Sequence, residues 1–329
     1  MTTLIIGGSS QLAFYIIKLT SEQIPSQTIY ASFRSQSSYE LQKSQLNSIN
    51  VSDSNLVPLF IEDLDTEFLI NFFEKHFITK VYYLPAINIP SIHTVKNLDN
   101  LFYKVHVKNS LALLQALKFF PKIKSIFTLS SKMFSNLKDE DRIININSVQ
   151  DPDSLYGATK SECWKNIKKY RNEFGISAHA AVLFNFESNY RLSEYRADFV
   201  IHKIADDLVK IKKKKAKTFS IQSFFDRADW SHAFDICNAV VNISNTFVAK
   251  DYVIGSGVGL SLAEITIEAL KLIDDKFLEE YCIKLIGKDV VSKPCLVADT
   301  FEAITILKYQ KTKNISNVIY SSFVNGLTG

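Results

Sequence analysis

A doubly wound α/β fold built on a parallel sheet, with a smaller C-terminal lobe, is predicted by three observations. Short apolar runs alternate with segments of helical periodicity, six times up to Phe174, and Ala178 to Leu183 adds a seventh strand. The first apolar run breaks at Gly7-Gly8-Ser9-Ser10, directly ahead of a helical pattern. Apolar residues make up 47% of the 329 positions, enough for a large core or two ordinary ones.

Thr3 to Ile6 reads as the first strand, and Leu12, Tyr15, Ile16 and Leu19 recur at helical spacing after it. Strand, tight turn and helix form the context in which backbone N–H groups and a helix N-terminus can face a pyrophosphate, here through Gly7, Ser10, Gln11 and Leu12. Only the first of three fingerprint positions (Gly7, Ser10, Ala13) is glycine, so an ordinary βα turn is the competing reading. Thr28 to Phe33 is the second strand and ends at Arg34-Ser35. An arginine there suits a 2′-phosphate better than bare ribose hydroxyls, which favours NADP and leaves NAD open. Leu56 to Ile61 is a third strand, followed by Glu62-Asp63-Leu64. Lys80 to Leu84 is a fourth, closed by Pro85, and Leu101 to Phe119 reads as one long amphipathic helix.

Lys124 to Leu129 is a strand whose carboxyl end carries Ser130-Ser131-Lys132, the edge where open parallel sheets bind ligands. Tyr156 and Lys160 stand four apart in a helix expected over Tyr156 to Phe174, so phenol and ammonium share a face. A neighbouring ammonium favours the phenolate, which makes the pair a candidate proton-transfer group. The same spacing occurs on ordinary surface helices. Beyond Asn185 the pattern changes, with a helix over Asp198 to Lys212 and Asp251 to Ile254 as the last strand of the sheet type. Residues 1–184 are thus expected to form the dinucleotide-binding domain and 185–329 mainly the substrate lobe, with about 226–258 returning to the sheet domain.

The net charge is only +4, and Lys212 to Lys215 is the one basic run, which argues against nucleic-acid binding. The four cysteines lie far apart without metal-site spacing, so no metal site is expected and the thiols are read as reduced and mostly buried. No apolar run approaches a membrane span and no cleavable leader is visible, so a cytoplasmic protein is expected.

Taken together these segments resemble the extended short-chain dehydrogenase/reductases, a Rossmann-type family, and more closely the GDP-mannose 4,6-dehydratases. GGSSQLAFYI is similar to that family's G-x-x-G-Q-D-G-x-Y-L, Leu84-Pro85-Ala86 to its Leu-Ala-Ala, and Leu183 to Ser188 to its L-F-N-H-E-S. Phe199 to Ile204 is similar to F-V-T-R-K-I, Asp229-Trp230-Ser231-His232-Ala233 to D-W-G-H-A, and Asp251 to Ile254 to D-Y-V-I. The resemblance implies that Ser130 bonds the reacting sugar hydroxyl or ketone, that Tyr156 exchanges its proton, and that Lys160 binds the nicotinamide ribose. It places Arg34, Asp63, Leu64, Leu84, Ala86 and Arg191 at the cofactor. Ser131, Lys132, Asn185, Glu187, Lys203 and Arg227 fall at a nucleotide-diphosphate sugar. A homodimer or homotetramer is implied, paired through Leu101 to Phe119 and Ser161 to Phe174.

The departures carry as much weight. Lys132 stands where the dehydratases have the Glu that removes the C5 proton, and Ala228 replaces the Arg of R-D-W, with adjacent Arg227 expected to take over diphosphate binding. Hydride transfer needs only Ser130, Tyr156, Lys160 and the cofactor, so 4-keto reduction or epimerisation of a GDP-linked sugar is expected ahead of full dehydration. Dehydration with another base, such as Glu187, is one alternative. A nucleotide-sugar or cofactor-binding protein without catalysis is the other.

Overall fold

The computed structural model describes residues 2–52, 55–61, 63–85, 98–137, 140, 142–191, 198–221, 223–287 and 294–328. Its centre is a seven-stranded sheet in the order β10-β7-β5-β4-β1-β2-β3, with every pair parallel. The strands are β1 (Thr2–Ile6), β2 (Thr28–Phe33), β3 (Leu56–Phe60), β4 (Lys80–Tyr83), β5 (Lys124–Ser130), β7 (Ala178–Leu183) and β10 (Asp251–Ile254). Ala178–Leu183 is therefore the sixth strand of this sheet and not the seventh; Asp251–Ile254 completes it.

Strand alternation divides the apolar residues between two layers. Ile5, Tyr82, Ile126 and Ile254 pack with α1 (Gln11–Gln23) and the helix Ala233–Ile243. Leu4, Ile6, Val81, Tyr83 and Phe127 pack on the other face with α3 (Thr66–His76), α5 (Asn109–Leu117) and α6 (Leu155–Phe174). A third apolar cluster lies in the C-terminal half. Helices Val200–Lys212, Leu262–Ile273, Lys276–Ile286 and Ser316–Thr328 close over Ile204, Leu208, Leu270 and Ile319 there. Between this lobe and the main sheet run two small sheets. One pairs β8 (Asn185–Glu187), β9 (Arg227–His232) and β11 (Gly259–Ser261), and the other pairs β6 (Arg142–Ile144) with β12 (Leu296–Ala298).

The long helix expected over Leu101 to Phe119 is interrupted. A short α4 (Leu98–Phe102) runs into a π-helical turn, Tyr103–Lys108, before α5 resumes. A π turn spoils the ordinary i to i−4 ladder and loosens backbone carbonyls. The Tyr83 hydroxyl donates to the Val105 carbonyl, and Ser110 Oγ donates to the carbonyls of His106 (2.7 Å) and Val107 (2.9 Å). The apolar periodicity that predicts one helix remains, because the π turn shifts the face by a single residue.

At the opposite, amino-terminal edge of the sheet, the buried Asp251 carboxylate accepts from Trp164 Nε1 at 2.8 Å and from the Arg171 guanidinium at 2.7 and 3.1 Å. These bonds fasten α6 to β10. Removing one partner of a buried ion pair strands the other, so Asp251→Ala is expected to lower stability by about 3–5 kcal/mol. The effect should appear in urea unfolding as a lower midpoint at unchanged slope; an unchanged midpoint would show the pair to be dispensable.

Candidate active site

The turn after β1 is built for close approach. Gly7 has φ +96°, and a Cβ at Gly8 would stand 2.8 Å from the Ser32 carbonyl oxygen and 2.9 Å from the Phe33 ring. Gly8 N–H donates to that carbonyl at 2.7 Å, and Gly7 N–H donates to Ser32 Oγ at 2.9 Å. Ser10, where the fingerprint has glycine, is the N-cap of α1: it is extended (φ −82°) and its hydroxyl accepts from Ala13 N–H at 3.1 Å. Nothing in that conformation demands glycine, and Ala13 is fully buried. Helix geometry leaves the N–H groups of Gln11 and Leu12 without intrahelical acceptors at a positive dipole end. The residues present therefore fit the pyrophosphate of a dinucleotide. The Gln11 side chain is buried and accepts from Ser188 Oγ at 2.8 Å, joining this turn to the segment after β8. Arg34 is exposed directly after β2, beside the Ser35 N-cap of α2 (Gln36–Asn47). Leu64 and Leu84 are core residues, and Asp63 forms an ion pair with Lys104 at 2.6 Å. Ala86 lies outside the described residues.

Ser130, Tyr156 and Lys160 come together at the carboxyl edge of the sheet. Ser130 is the last residue of β5, its Oγ accepting from Lys132 N–H at 3.2 Å. Ser154 caps α6, which places Tyr156 in its first turn, with the phenol close enough to Ser130 for that hydroxyl to affect its proton affinity. The start of α6 meets the 3₁₀ turn Ser131–Leu137 almost in contact, since a Cβ at Gly157 would lie 2.4 Å from the Lys132 carbonyl oxygen. Lys160, 2% exposed, donates from Nζ to the carbonyls of Pro85 and Thr128, both at 3.1 Å.

The electrostatics correct one expectation. Burial pushes the Tyr156 phenol up to about 12, and nearby Ser130 opposes that only in part, so the resting group is a phenol and not a phenolate. Burial brings Lys160 down to about 8. The ammonium binds two carbonyls in place of the phenol, which is why the expected depression is not seen.

His106 is a site residue that the sequence reading missed. It lies in the π turn, fully buried, its ring edge-on to Tyr156 at 5.1 Å between centroids and its Nδ1 2.9 Å from Thr159 Oγ1. Burial, helped by the Lys160 charge, drives the imidazole down to about 2. A lone His in an apolar helical pattern reads as core, and no local sequence signal marks the π turn.

Glu187 and Arg191, assigned to different ligands, instead meet each other. Arg191 Nε donates to both carboxylate oxygens at 3.0 and 3.1 Å, Ser188 N–H donates at 3.0 Å, and His202 Nε2 stands 3.5 Å away. Burial alone would raise the Glu187 carboxyl, but His202 and Arg191 hold it below the usual range. Its oxygens are thus committed, which disfavours it as a mobile base. Ser131 and Asn185 are half-buried at strand ends, Lys132 is exposed, and Lys203 is half-buried on Val200–Lys212. Arg227 shares the Asp229 face of β9, opposite Ala228, and donates to the Gly259 carbonyl at 3.2 Å. It does not enter the space of the missing arginine. Instead it lines a cavity of about 420 Å³ with Arg142, Gly257, Gly259, Cys295 and Val297. Asp229 shapes that cavity, accepting from the N–H groups of Ser256, Gly257 and Ala298.

A parallel doubly wound sheet with a dinucleotide-type first turn and Ser, Tyr and Lys at its carboxyl edge defines an extended short-chain dehydrogenase/reductase. Within that class, the chain belongs to the GDP-mannose 4,6 dehydratase family, whose model matches residues 4–299. Over 123 residues it is 31% identical to a GDP-mannose 4,6 dehydratase of Drosophila melanogaster, covering 37% of this chain and 30% of that one. The human enzyme of the same name is 31% identical over 106 residues, covering 32% and 27%. These matches span less than a third of each relative. Among solved structures, UDP-glucuronic acid 4-epimerase from Bacillus cereus, in complex with UDP-glucuronic acid and NAD, superposes with a TM-score of 0.76 at 17% identity, covering 100% of this chain and 99% of that one. dTDP-glucose 4,6-dehydratase from Bacillus anthracis, in complex with NAD, gives 0.75 at 15%, covering 98% and 96%. At such identities the likeness establishes the fold.

Gly157→Ala is expected to cost about 1–3 kcal/mol, because the added methyl overlaps a backbone oxygen that cannot rotate away. The loss should appear as a lower thermal midpoint, and a wild-type midpoint would show that the α6 contact is looser than described.

Proposed function

We propose that this protein is an NADP-dependent oxidoreductase acting on a nucleotide-diphosphate sugar, by 4-keto reduction or epimerisation of a GDP-linked sugar. The observation that carries the reading is the Ser130–Tyr156–Lys160 cluster, in which a protonated phenol beside Ser130 stands ready to give its proton. The bound cofactor supplies the hydride. Ser130 orients the sugar oxygen, Tyr156 donates its proton to the alkoxide as the carbonyl is reduced, and Lys160 contributes positive charge at the nicotinamide ribose. Arg34, exposed at the end of β2, supports a cofactor carrying a 2′-phosphate.

One further observation supports the substrate class. The cavity holding Arg142 and Arg227 lies beyond the carboxyl end of β10, and β10 is two strands from β5. The two strands are about 10 Å apart at the usual spacing, which supports a diphosphate near Arg142 and Arg227 with its sugar toward Tyr156. Arg142 is a residue the sequence reading did not single out. Membership of the dehydratase family favours 4,6-dehydration as a second reading. That reaction needs a base other than residue 132, and Glu187 is committed to Arg191 and His202.

Purified protein with NADPH is expected to reduce a GDP-4-keto-6-deoxy sugar, with Tyr156→Phe abolishing turnover while cofactor affinity survives. Undiminished turnover in that variant would remove Tyr156 from the mechanism. Formation of a 4-keto-6-deoxy product from GDP-mannose would favour the second reading, and ligand-induced thermal stabilisation without turnover of any nucleotide sugar would favour a binding protein. Because Lys160 is charged only below about 8, turnover is expected to fall as pH rises through that value. A rate that is flat from pH 7 to pH 9 (roughly one unit either side) would contradict the role of its charge. Arg34→Asp is expected to shift preference from NADP toward NAD, read as the ratio of the two kcat/KM values.

A further inference from the structure

The buried histidine of the π turn is held more firmly than core packing requires. Tyr83 and Ser110 satisfy the carbonyls that the turn releases, so the backbone of residues 105–107 is fixed from β4 and from α5. Thr159 Oγ1 lies 3.0 Å from the Leu155 carbonyl and 3.1 Å from that of Tyr156. With its single proton given to one of these, the hydroxyl accepts from His106 Nδ1–H, and this tautomer leaves a lone pair on Nε2. Nε2 is buried and finds no hydrogen-bond partner among the described residues. An unpaired buried acceptor is costly, and such groups mark strain or function. Phe102 stacks on the same imidazole at 5.7 Å and also touches the Tyr156 ring edge-on at 5.9 Å, so the three rings pack as one cluster.

We propose that His106 is a positioning residue of this site, fixing the Tyr156 ring through edge-on contact and a hydrogen bond to Thr159. The inference rests on the proposed role of Tyr156 in proton transfer. π turns recur at functional sites because they push one side chain out of helical register, and here the displaced side chain meets the helix that carries both Tyr156 and Lys160. The titratable groups around the pair are His106 from the π turn, Cys163 one turn further along α6, and Tyr83 of β4, whose electrostatic neighbour is Cys163. The imidazole does not compete with Lys160 for a proton, because it stays neutral across the working pH range. It also helps to exclude water from the phenol.

Two variants separate its features. His106→Phe keeps a ring but loses the Thr159 bond and the lone pair, whereas His106→Gln keeps a donor and an acceptor but loses the ring. Each is expected to lower kcat by about 10- to 100-fold, the scale of a small misplacement of a reacting group, with KM and cofactor affinity little changed. An unchanged kcat in both, or a loss of kcat matched by equal losses of thermal midpoint and cofactor affinity, would overturn the proposal. A second measurement does not need turnover. With 13C-labelled tyrosine, the Tyr156 Cζ signal, identified by its absence in Tyr156→Phe, is followed against pH in the wild type and in His106→Ala. Opening the wall to water is expected to bring the phenol into titration at lower pH, and an identical curve would overturn the proposal. If no sugar nucleotide is turned over but the signal shifts, the proposed function fails and the positioning role stands.

Discussion

The Lys160 ammonium is the fixed point of this molecule. A cation inside a protein is tolerated only when oxygen atoms replace its water, and here the carbonyls of Pro85 and Thr128 do so from neighbouring strands. The two bonds fix where α6 lies against β4 and β5. Because Tyr156 precedes Lys160 by one turn of that helix, the same bonds fix the phenol relative to Ser130. Burial lowers the affinity of Lys160 for its proton and raises that of Tyr156, so the same desolvation keeps Tyr156 protonated as a donor and brings only Lys160 closer to the range in which it changes state.

A second buried charge cluster, Glu187 with Arg191 and His202, performs a different task. It joins the end of β8 to the helix Val200–Lys212, and Arg191 also stacks on Phe199 at 3.4 Å from the ring centroid. Ser188, next in the chain, reaches Gln11 on α1. The lobe is therefore tied to the dinucleotide turn through Glu187, Ser188 and Gln11.

Much of this was legible in the sequence where the determining interactions are local. The strand patterns, the turn at Gly7, and the Tyr156 to Lys160 spacing depend on neighbours within a few residues. The seven-stranded sheet and the convergence of Ser130 with Tyr156 follow from them once strands are taken to end at one edge. The rest depends on contacts between distant positions. Asp63 finds Lys104, Glu187 finds His202, and Arg142 comes to line one cavity with Arg227 across two small sheets whose strands are mostly three residues long, too short to show alternation. The π turn depends on a hydroxyl from β4, and nothing within Tyr103 to Lys108 announces it. The helices expected to pair copies of the chain present Lys108, Gln115, Glu162, Lys165 and Lys169 to solvent; much of their apolar content packs on the sheet.

Gly157 packs on the carbonyl of residue 132, so the main chain at that position is clamped to the catalytic helix while its side chain projects into solvent. Position 132 behaves as a socket, rigid in its backbone and indifferent to what is plugged into it. A carboxylate and an ammonium can be exchanged there without moving Ser130, Tyr156 or Lys160. On the proposed chemistry, a substitution at this position bears on the elimination half and leaves the geometry of the redox half in place.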